Sequence, residues 1–337
     1  MHGKGVVNFM AVVEVKDLVK DFQVNKKESG FRGALKNLVK INREKFRAVD
    51  HISFDISEGE IVGYIGPNGA GKSTTIKMMS GILQPTSGTV LVRGLSPYEN
   101  RKKVVQNIGV VFGQRSQLYW DLRLGESFEL LRRIYRIPDD TYRKNLSVLD
   151  DILGIGSIVD TPVRQLSLGQ RMKGDLAASM LHSPALVFLD EPTIGLDVEV
   201  KHAVRKFIRD INEQYKTTII LTTHDLDDIE QLCHRIIIIN KGIIVEDGSL
   251  SELMDRLAPE KTIVADLFDE PSKDFSVPCA RIVRREGNRV WLQYCKKDTG
   301  AGEIISRISQ TEQIRDISFE ETGIDDVIRR VYADSSR

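Results

Sequence analysis

The densest chemistry in the chain lies in nine consecutive residues, G-P-N-G-A-G-K-S-T: Gly66, Pro67, Asn68, Gly69, Ala70, Gly71, Lys72, Ser73 and Thr74. Glycines at this spacing let successive backbone N–H groups converge on one anion. A helix starting at the end of the loop adds the positive pole of its dipole. Lys72 supplies a point charge suited to β- and γ-phosphates, and the Ser73 hydroxyl is a hard oxygen ligand for Mg²⁺. Such a loop has meaning only between a strand and a helix, and here an apolar run at 61–65 precedes it and a helical stretch at 75–80 follows. A second constellation, A-L-V-F-L-D-E, is an apolar strand ending in Asp190 and Glu191. Open α/β sheets bind ligands at the carboxyl ends of their strands. Adjacent side chains there point in different directions, so Asp190 can hold a metal through water while Glu191 faces an attacking water as general base.

The elements that must position these residues read as follows. A strand at 12–16 is followed by a polar, basic stretch and then by strands at 52–56 and 60–65. From about 100 to 173 the pattern is helical, with Phe128, Leu130, Leu131 and Ile134 on one face and Pro138 and Pro162 as punctuation. Near-continuous apolar runs at 185–189, 217–221, 235–239 and 242–245 read as buried parallel strands. A helix at 251–257 closes a first domain spanning 12–257. Residues 258–278, rich in Asp, Pro and Lys, read as a linker. The remainder, 279–337, reads as a small α/β appendage, with a hairpin over 284–294 turning on Glu286-Gly287-Asn288 and a last helix over 324–332.

Composition narrows the classes. The chain has 337 residues, and 48 basic residues balance 48 acidic ones, so no global field draws it to nucleic acid, and none is expected as a partner. The longest apolar runs fall far short of the roughly 20 residues of a membrane-spanning helix. The first ten residues lack a secretory h-region, and Cys233, Cys279 and Cys295 form no close pair, which points to a reduced, cytoplasmic setting.

Taken in order, the loop at 66–74, L-S-L-G-Q at 166–170, the Asp190 strand, P-T-I-G-L-D at 192–197 and T-T-H-D at 222–225 resemble the nucleotide-binding domain of ATP-binding cassette proteins. The resemblance runs over about 12–257, and L-S-x-G-Q is its discriminating element. It implies an α/β P-loop NTPase of cassette type: a RecA-like core, an antiparallel β subdomain and a helical signature subdomain, with the small C-terminal α/β domain appended. It further implies binding and hydrolysis of ATP with Mg²⁺ by two copies arranged head to tail. Ser167, Gly169 and Gln170 of one copy would bind the γ-phosphate held by the other. Gln114, in V-V-F-G-Q, matches the glutamine that reaches Mg²⁺ and the attacking water. His224 matches the switch histidine on the γ-phosphate, and Asp197 the aspartate of the loop crossing the dimer interface. The adenine-stacking aromatic is Phe22 by motif order or Phe46 by distance from the following strand. Catalysis would rest on Glu191, His224, Gln114 and Lys72, and metal binding on Ser73, Gln114 and Asp190.

The stretch separating Phe22 from that strand includes F-R-G-A-L-K-N-L-V-K-I-N-R-E-K-F-R. A helix over about 28–47 would align Phe31, Leu35, Leu38 and Val39, with six basic residues and one acidic residue between Arg32 and Arg47. That pattern suits a membrane surface, contacted through 31–47, or a face packed on the core. Leu118, Tyr119 and Trp120 suit either a groove for a partner helix or the helical core. G-Q-R-S-Q-L-Y-W and S-L-G-Q-R-M resemble ATPase subunits of bacterial two-component (ABC-2 type) exporters. The segment 314–332 is similar to the tails closing many such subunits. The implied function is the motor of a transporter with a separate transmembrane permease, held peripherally on the cytoplasmic face of the membrane. The alternative is a soluble cassette ATPase working on ribosomes, DNA or cofactor assembly.

Overall fold

The computed structural model describes residues 11–25, 43–113, 115–321 and 323–334. They divide into two compact units, one ending at Asp247 and the other starting at Gly248.

The first unit is built on two sheets. β1 (Ala11–Asn25), β2 (Arg43–Ser57) and β4 (Ser87–Val92) form an antiparallel sheet in the order β2-β1-β4. A six-stranded sheet runs β5-β6-β7-β3-β8-β9, comprising β3 (Ile61–Ile65), β5 (Ile108–Phe112), β6 (Leu186–Asp190), β7 (Thr218–Thr222), β8 (Arg235–Asn240) and β9 (Ile243–Ser249). The pairs from β5 to β8 are parallel. β3 and β7 are buried at every position because both faces of the sheet are covered, which is why they read as unbroken apolar runs. Val13, Val15, Phe54 and Ile56 of the antiparallel sheet share one core with Tyr64, Phe188 and Ile237 of the parallel one, and the helix after β3 adds Ile76, Met78 and Met79. Truncating any one of these to alanine removes about 2–5 kcal/mol.

The helices are α1 (Lys72–Met79), α2 (Arg101–Val105), α3 (Leu124–Tyr135), α4 (Asp139–Leu153), α5 (Leu168–Met180), α6 (Val198–Tyr215) and α7 (Leu226–Leu232). α5 starts on a capping box: the Ser167 hydroxyl accepts from the Gln170 N–H at 3.2 Å, and the Ser167 N–H donates to the Gln170 side-chain oxygen at 2.9 Å. Asp197 caps α6 in turn, accepting from the Val200 N–H at 2.9 Å.

The second unit pairs its strands in the order β11-β12-β10-β13, all antiparallel: β10 (Glu260–Leu267), β11 (Arg281–Glu286), β12 (Arg289–Cys295) and β13 (Ile314–Glu321). Its helices are α8 (Leu250–Leu257), α9 (Ala301–Thr311) and α10 (Ile324–Asp334). Ile263, Ala265, Leu267, Val290 and Leu292 from one sheet face make a core with Ile304 and Ile308 of α9.

Four sequence expectations change. The span 258–278 is not a linker: β10 is a central strand of the second sheet, and α8 belongs to that unit as well. Ile263, Ala265 and Leu267 carry a period-2 signal on one face, obscured by the apolar Val264 between them and by the surrounding charge. The helical stretch at 100–173 contains β5, whose Ile108, Gly109 and Val111 are buried in the parallel sheet beside β6. β9 is a half-exposed edge rather than a buried parallel strand. The two residues Lys241 and Gly242, both at positive φ, turn the chain straight back from β8, which only an antiparallel hairpin allows. Finally, residues 43–47 are strand, not helix, and continue β2 in register with 21–25 of β1. Phe31, Leu35, Leu38 and Val39 lie outside the described residues.

Candidate functional site

The parallel order β6-β7-β3 brings three carboxyl ends to one edge of the sheet, and the site is assembled there. β3 runs into the 66–74 loop, which leads into α1. Two glycines of the loop are required by close approach: a Cβ on Gly66 would stand 2.2 Å from the Ile239 carbonyl oxygen, and one on Gly71, at φ 110°, would stand 2.5 Å from that of Ala48. The Gly242 N–H donates to Ala70 O at 2.9 Å, so the β8–β9 turn fastens the loop from outside. No side chain caps the first turn of α1, which leaves its amides directed at whatever the loop encloses.

Lys72 is 6% exposed, and its ammonium donates to Gly66 O at 2.5 Å and Pro67 O at 3.2 Å. Burial pulls its pKa down, while the carboxylates of Glu191 and Asp190 oppose that shift. Ser73 Oγ donates to Asp190 Oδ2 at 3.2 Å, and Thr222 Oγ1 donates to Asp190 Oδ1 at 2.6 Å. Ser73 and Asp190 thus offer hard oxygens side by side. A hexacoordinate cation held there would draw its other ligands from phosphate and water, and the donor set fits one. Glu191 takes φ 56°, uncommon for a residue with a side chain, and its N–H is held by Thr222 O at 2.9 Å. The turn directs its carboxylate away from Asp190 and onto His224, whose Nε2 lies 2.9 Å from Glu191 Oε1. A cleft of about 320 Å³ opens at this pair, lined also by Thr193, Gly195, Lys201 and Asp225.

The geometry therefore unites Lys72, Ser73, Asp190, Glu191 and His224. Pro67, Asn68 and Gly69 fall on the same loop, Asn68 and Gly69 exposed, and Thr74 lies in the first turn of α1. Ser167, Gly169 and Gln170 sit apart from this cluster at the start of α5, with Ser167 and Gln170 exposed. Gly169 packs on Val200, and Leu168 lies against Gly195. The signature turn thus adjoins the loop that Asp197 ends. Gln114 lies outside the described residues. Gly113 donates its N–H to Asp190 O at 2.7 Å, and a Cβ there would meet Glu191 O at 2.2 Å. Phe22 and Phe46 are direct partners across β1 and β2, so their rings share one sheet face. Phe46 is 53% exposed, whereas Phe22 is half-buried with the Lys20 ammonium 5.3 Å from its ring centre. The stretch Leu118, Tyr119, Trp120 splits between its two readings: Leu118 is core at 7% exposure, while Tyr119 and Trp120 are 44% and 51% exposed.

Sequence reasoning passed over two supports. Thr222 holds both Asp190 and the Glu191 backbone, although T-T-H-D displayed it. The fully buried Asp228 accepts from Thr193 Oγ1 and Arg205 Nε, both at 2.5 Å, and from Thr223 Oγ1 at 2.9 Å. It thereby ties the loop after Glu191 to the residue before His224.

Residues 49–194 match the family model described as ABC transporter. The ATP-binding protein NatA of Bacillus subtilis (strain 168) is 31% identical over 209 residues, which are 62% of this chain and 85% of NatA. The chain belongs to the ABC transporter ATP-binding family. The P-loop NTPase fold, ATP binding and the ATPase class follow from that membership. YbhF of Escherichia coli (strain K12), named a probable multidrug ABC transporter ATP-binding protein, is 35% identical over 218 residues; these cover 64% of this chain but 37% of YbhF, so the chain spans well under half of that relative. A solved dimeric structure, a post-hydrolysis state of the ATP-binding cassette MJ0796 bound to ADP and Pi, superposes with a TM-score of 0.58 at 26% identity, over 71% of this chain and 98% of that one. Among the described residues, no helix is long and apolar enough to cross a membrane.

Proposed function

We propose that this chain is the ATP-hydrolysing motor subunit of a membrane exporter, working as a head-to-tail homodimer bound to a separate permease at the cytoplasmic face of the membrane. The observation that carries the reading is the Glu191–His224 pair beside Lys72 and Ser73, with the signature Ser167 presented away from it. Such a half-site is completed by a second copy, and the MJ0796 cassette is dimeric.

The mechanism follows from these positions. The loop amides and Lys72 hold the β- and γ-phosphates of ATP, and the purine stacks on Phe22 or Phe46. Ser73, Asp190 and Gln114 would hold Mg²⁺. Bound there, such a cation would neutralise charge on the phosphates. Glu191 takes a proton from the water that attacks the γ-phosphorus in line. The bond to the β–γ bridging oxygen breaks, giving ADP and inorganic phosphate. His224 fixes Glu191 and faces the γ-phosphate. Ser167 and Gly169 of the second copy donate to the γ-phosphate oxygens and so make closure of the dimer depend on ATP, while Asp197 lies at the interface. Exposed Tyr119 and Trp120 suit a permease helix, since aromatic anchors are typical of interface centres. Export rather than import rests on the likeness of 113–120 and 167–172 to two-component exporter ATPases.

The test is affinity purification of Glu191→Gln with ATP from detergent-solubilised membranes. A multi-span membrane protein at stoichiometric ratio is expected. Recovery with soluble machinery alone would establish the soluble cassette ATPase instead.

A further inference from the structure

α5, which begins at the signature Ser167, carries on one face a set of contacts that the reaction as described does not use. Asp175 lies two turns into this helix and is 5% exposed. Its Oδ1 accepts from Ser116 Oγ at 3.0 Å and from the Gln117 N–H at 2.9 Å, and its backbone oxygen accepts from Gln117 Nε2 at 2.9 Å. Ser116 Oγ in turn accepts from the Leu118 N–H at 3.1 Å. One residue earlier, Gly174 has no side chain, and Leu118 and Leu124 fill the space: a Cβ there would stand 3.0 and 2.9 Å from their methyls. One turn before that, the Arg171 guanidinium stacks over the Trp120 ring at 4.7 Å. Positions 171, 174 and 175 share one helix face. Ser116, Gln117, Leu118 and Trp120 are therefore fastened to the signature helix. At its other end the same segment runs back to Gly113, which touches the Glu191 backbone.

We propose that Asp175 is a positioning residue that makes the segment after Gln114 and the signature helix a single moving part, so that a change at the γ-phosphate of one site displaces Ser167 toward the ATP held by the second copy. The inference rests on the homodimeric reading above. A buried acid in a helix interior is costly unless its acceptors are used. All four of the donors named on this residue's oxygens and their relay come from the 116–118 segment. The carboxylate thus serves the joint between two elements and not the chemistry. The coupling is mechanical, through directional hydrogen bonds that hold only in one relative placement of loop and helix.

The experiment compares Asp175→Ala, Asp175→Asn and Gln117→Ala in the full chain. It measures ATPase kcat and KM, the Kd of a fluorescent ATP analogue, and the ATP concentration that drives dimer formation in a Glu191→Gln background. Asp175→Ala is expected to lower kcat about tenfold and to raise the ATP midpoint for dimerisation by a similar factor, with nucleotide Kd within about twofold. Asp175→Asn keeps an oxygen at the Oδ1 position and is expected to recover most of the loss. Wild-type kcat in Asp175→Ala would overturn the proposal. So would an asparagine variant as impaired as the alanine one, or a nucleotide Kd that worsens in step with kcat. Should Asp175→Ala fail to fold, Gln117→Ala trims the tie from its other side; it is expected to show the same split at smaller size, and wild-type behaviour would refute the idea. If the Glu191→Gln chain with Asp175 intact does not dimerise on ATP, the homodimeric reading fails first and takes this inference with it.

Discussion

Replacing Asp228 by alanine should unfold the first unit at a much lower temperature, and the size of the effect can be worked from its surroundings. The side chain is fully buried and accepts three hydrogen bonds, from Arg205, Thr193 and Thr223. Breaking a buried ion pair by removing one partner costs about 3–5 kcal/mol. Arg205 retains Asp225 at 3.3 Å and Asp227 at 3.8 Å, which places this pair at about 3 kcal/mol, the lower end. Thr193 and Thr223 are themselves buried and would each lose an acceptor at about 1–3 kcal/mol, less whatever rotation recovers. A total of about 4–6 kcal/mol lowers the melting temperature of a unit this size by roughly 10–20 °C. Calorimetry on Asp228→Ala, Arg205→Met and the double variant measures it. The double variant should cost less than the sum of the singles, because it leaves no unpaired charge. A melting point for Asp228→Ala within about 3 °C of wild type would refute the assignment of this carboxylate as the tie between the two catalytic loops.

Further outcomes are expected. Glu191→Gln should lower ATP turnover by about 10²–10⁴-fold while ATP binding, read by fluorescence titration, persists. Burial lifts the Asp175 carboxyl from 3.8 to about 6, against the hydrogen bonds from Gln117 and Ser116. The folded state therefore binds this proton more tightly than the unfolded chain does, and the stability it contributes is full below pH 3.8 and lost as pH rises through about 6. Asp175→Asn should accordingly flatten the pH dependence of the unfolding free energy, measured by urea titration, by up to about 3 kcal/mol between pH 4 and pH 8. Gly113→Ala drives a Cβ into the Glu191 carbonyl oxygen and should depress kcat more than it depresses the melting point, measured side by side. Of Phe22→Ala and Phe46→Ala, the one that removes the adenine stack should weaken ATP binding by about 1–3 kcal/mol in a titration, and the other should not.

The core of this fold is legible in the sequence because a parallel strand covered on both faces has no polar side to show: β3, β6 and β7 announce themselves as apolar runs ending in glycine, aspartate or threonine. β9 carries the same Ile-Ile-Val composition for a different reason, and only the turn residues Lys241 and Gly242 distinguish an edge hairpin from a buried crossover. β10 was hidden by charge at its borders. At the site, Lys72 and Ser73 open the helix after β3, and Asp190, Glu191 and His224 sit at or just past strand ends, all in a fixed order, so short motifs capture them. Asp175 and Asp228 do not declare themselves that way. Each is an acid within a helix, a pattern that normally means a solvated face, and its role exists through partners outside that helix, 5 to 59 residues away in sequence. The M-K-G-D-L-A-A-S-M run around Asp175 held the one available hint, an acid in an otherwise small and apolar stretch.

Glu191 occupies a left-handed backbone conformation that its side chain disfavours by about 1–2 kcal/mol. Glycine or asparagine would sit there more comfortably, and neither could take a proton from water as a carboxylate does. Selection for heat resistance alone would therefore drift toward a cassette that is sturdier, still holds nucleotide, and no longer turns it over. A library screened only for thermal tolerance or nucleotide retention would reward that loss, so directed evolution of this protein has to select on phosphate release.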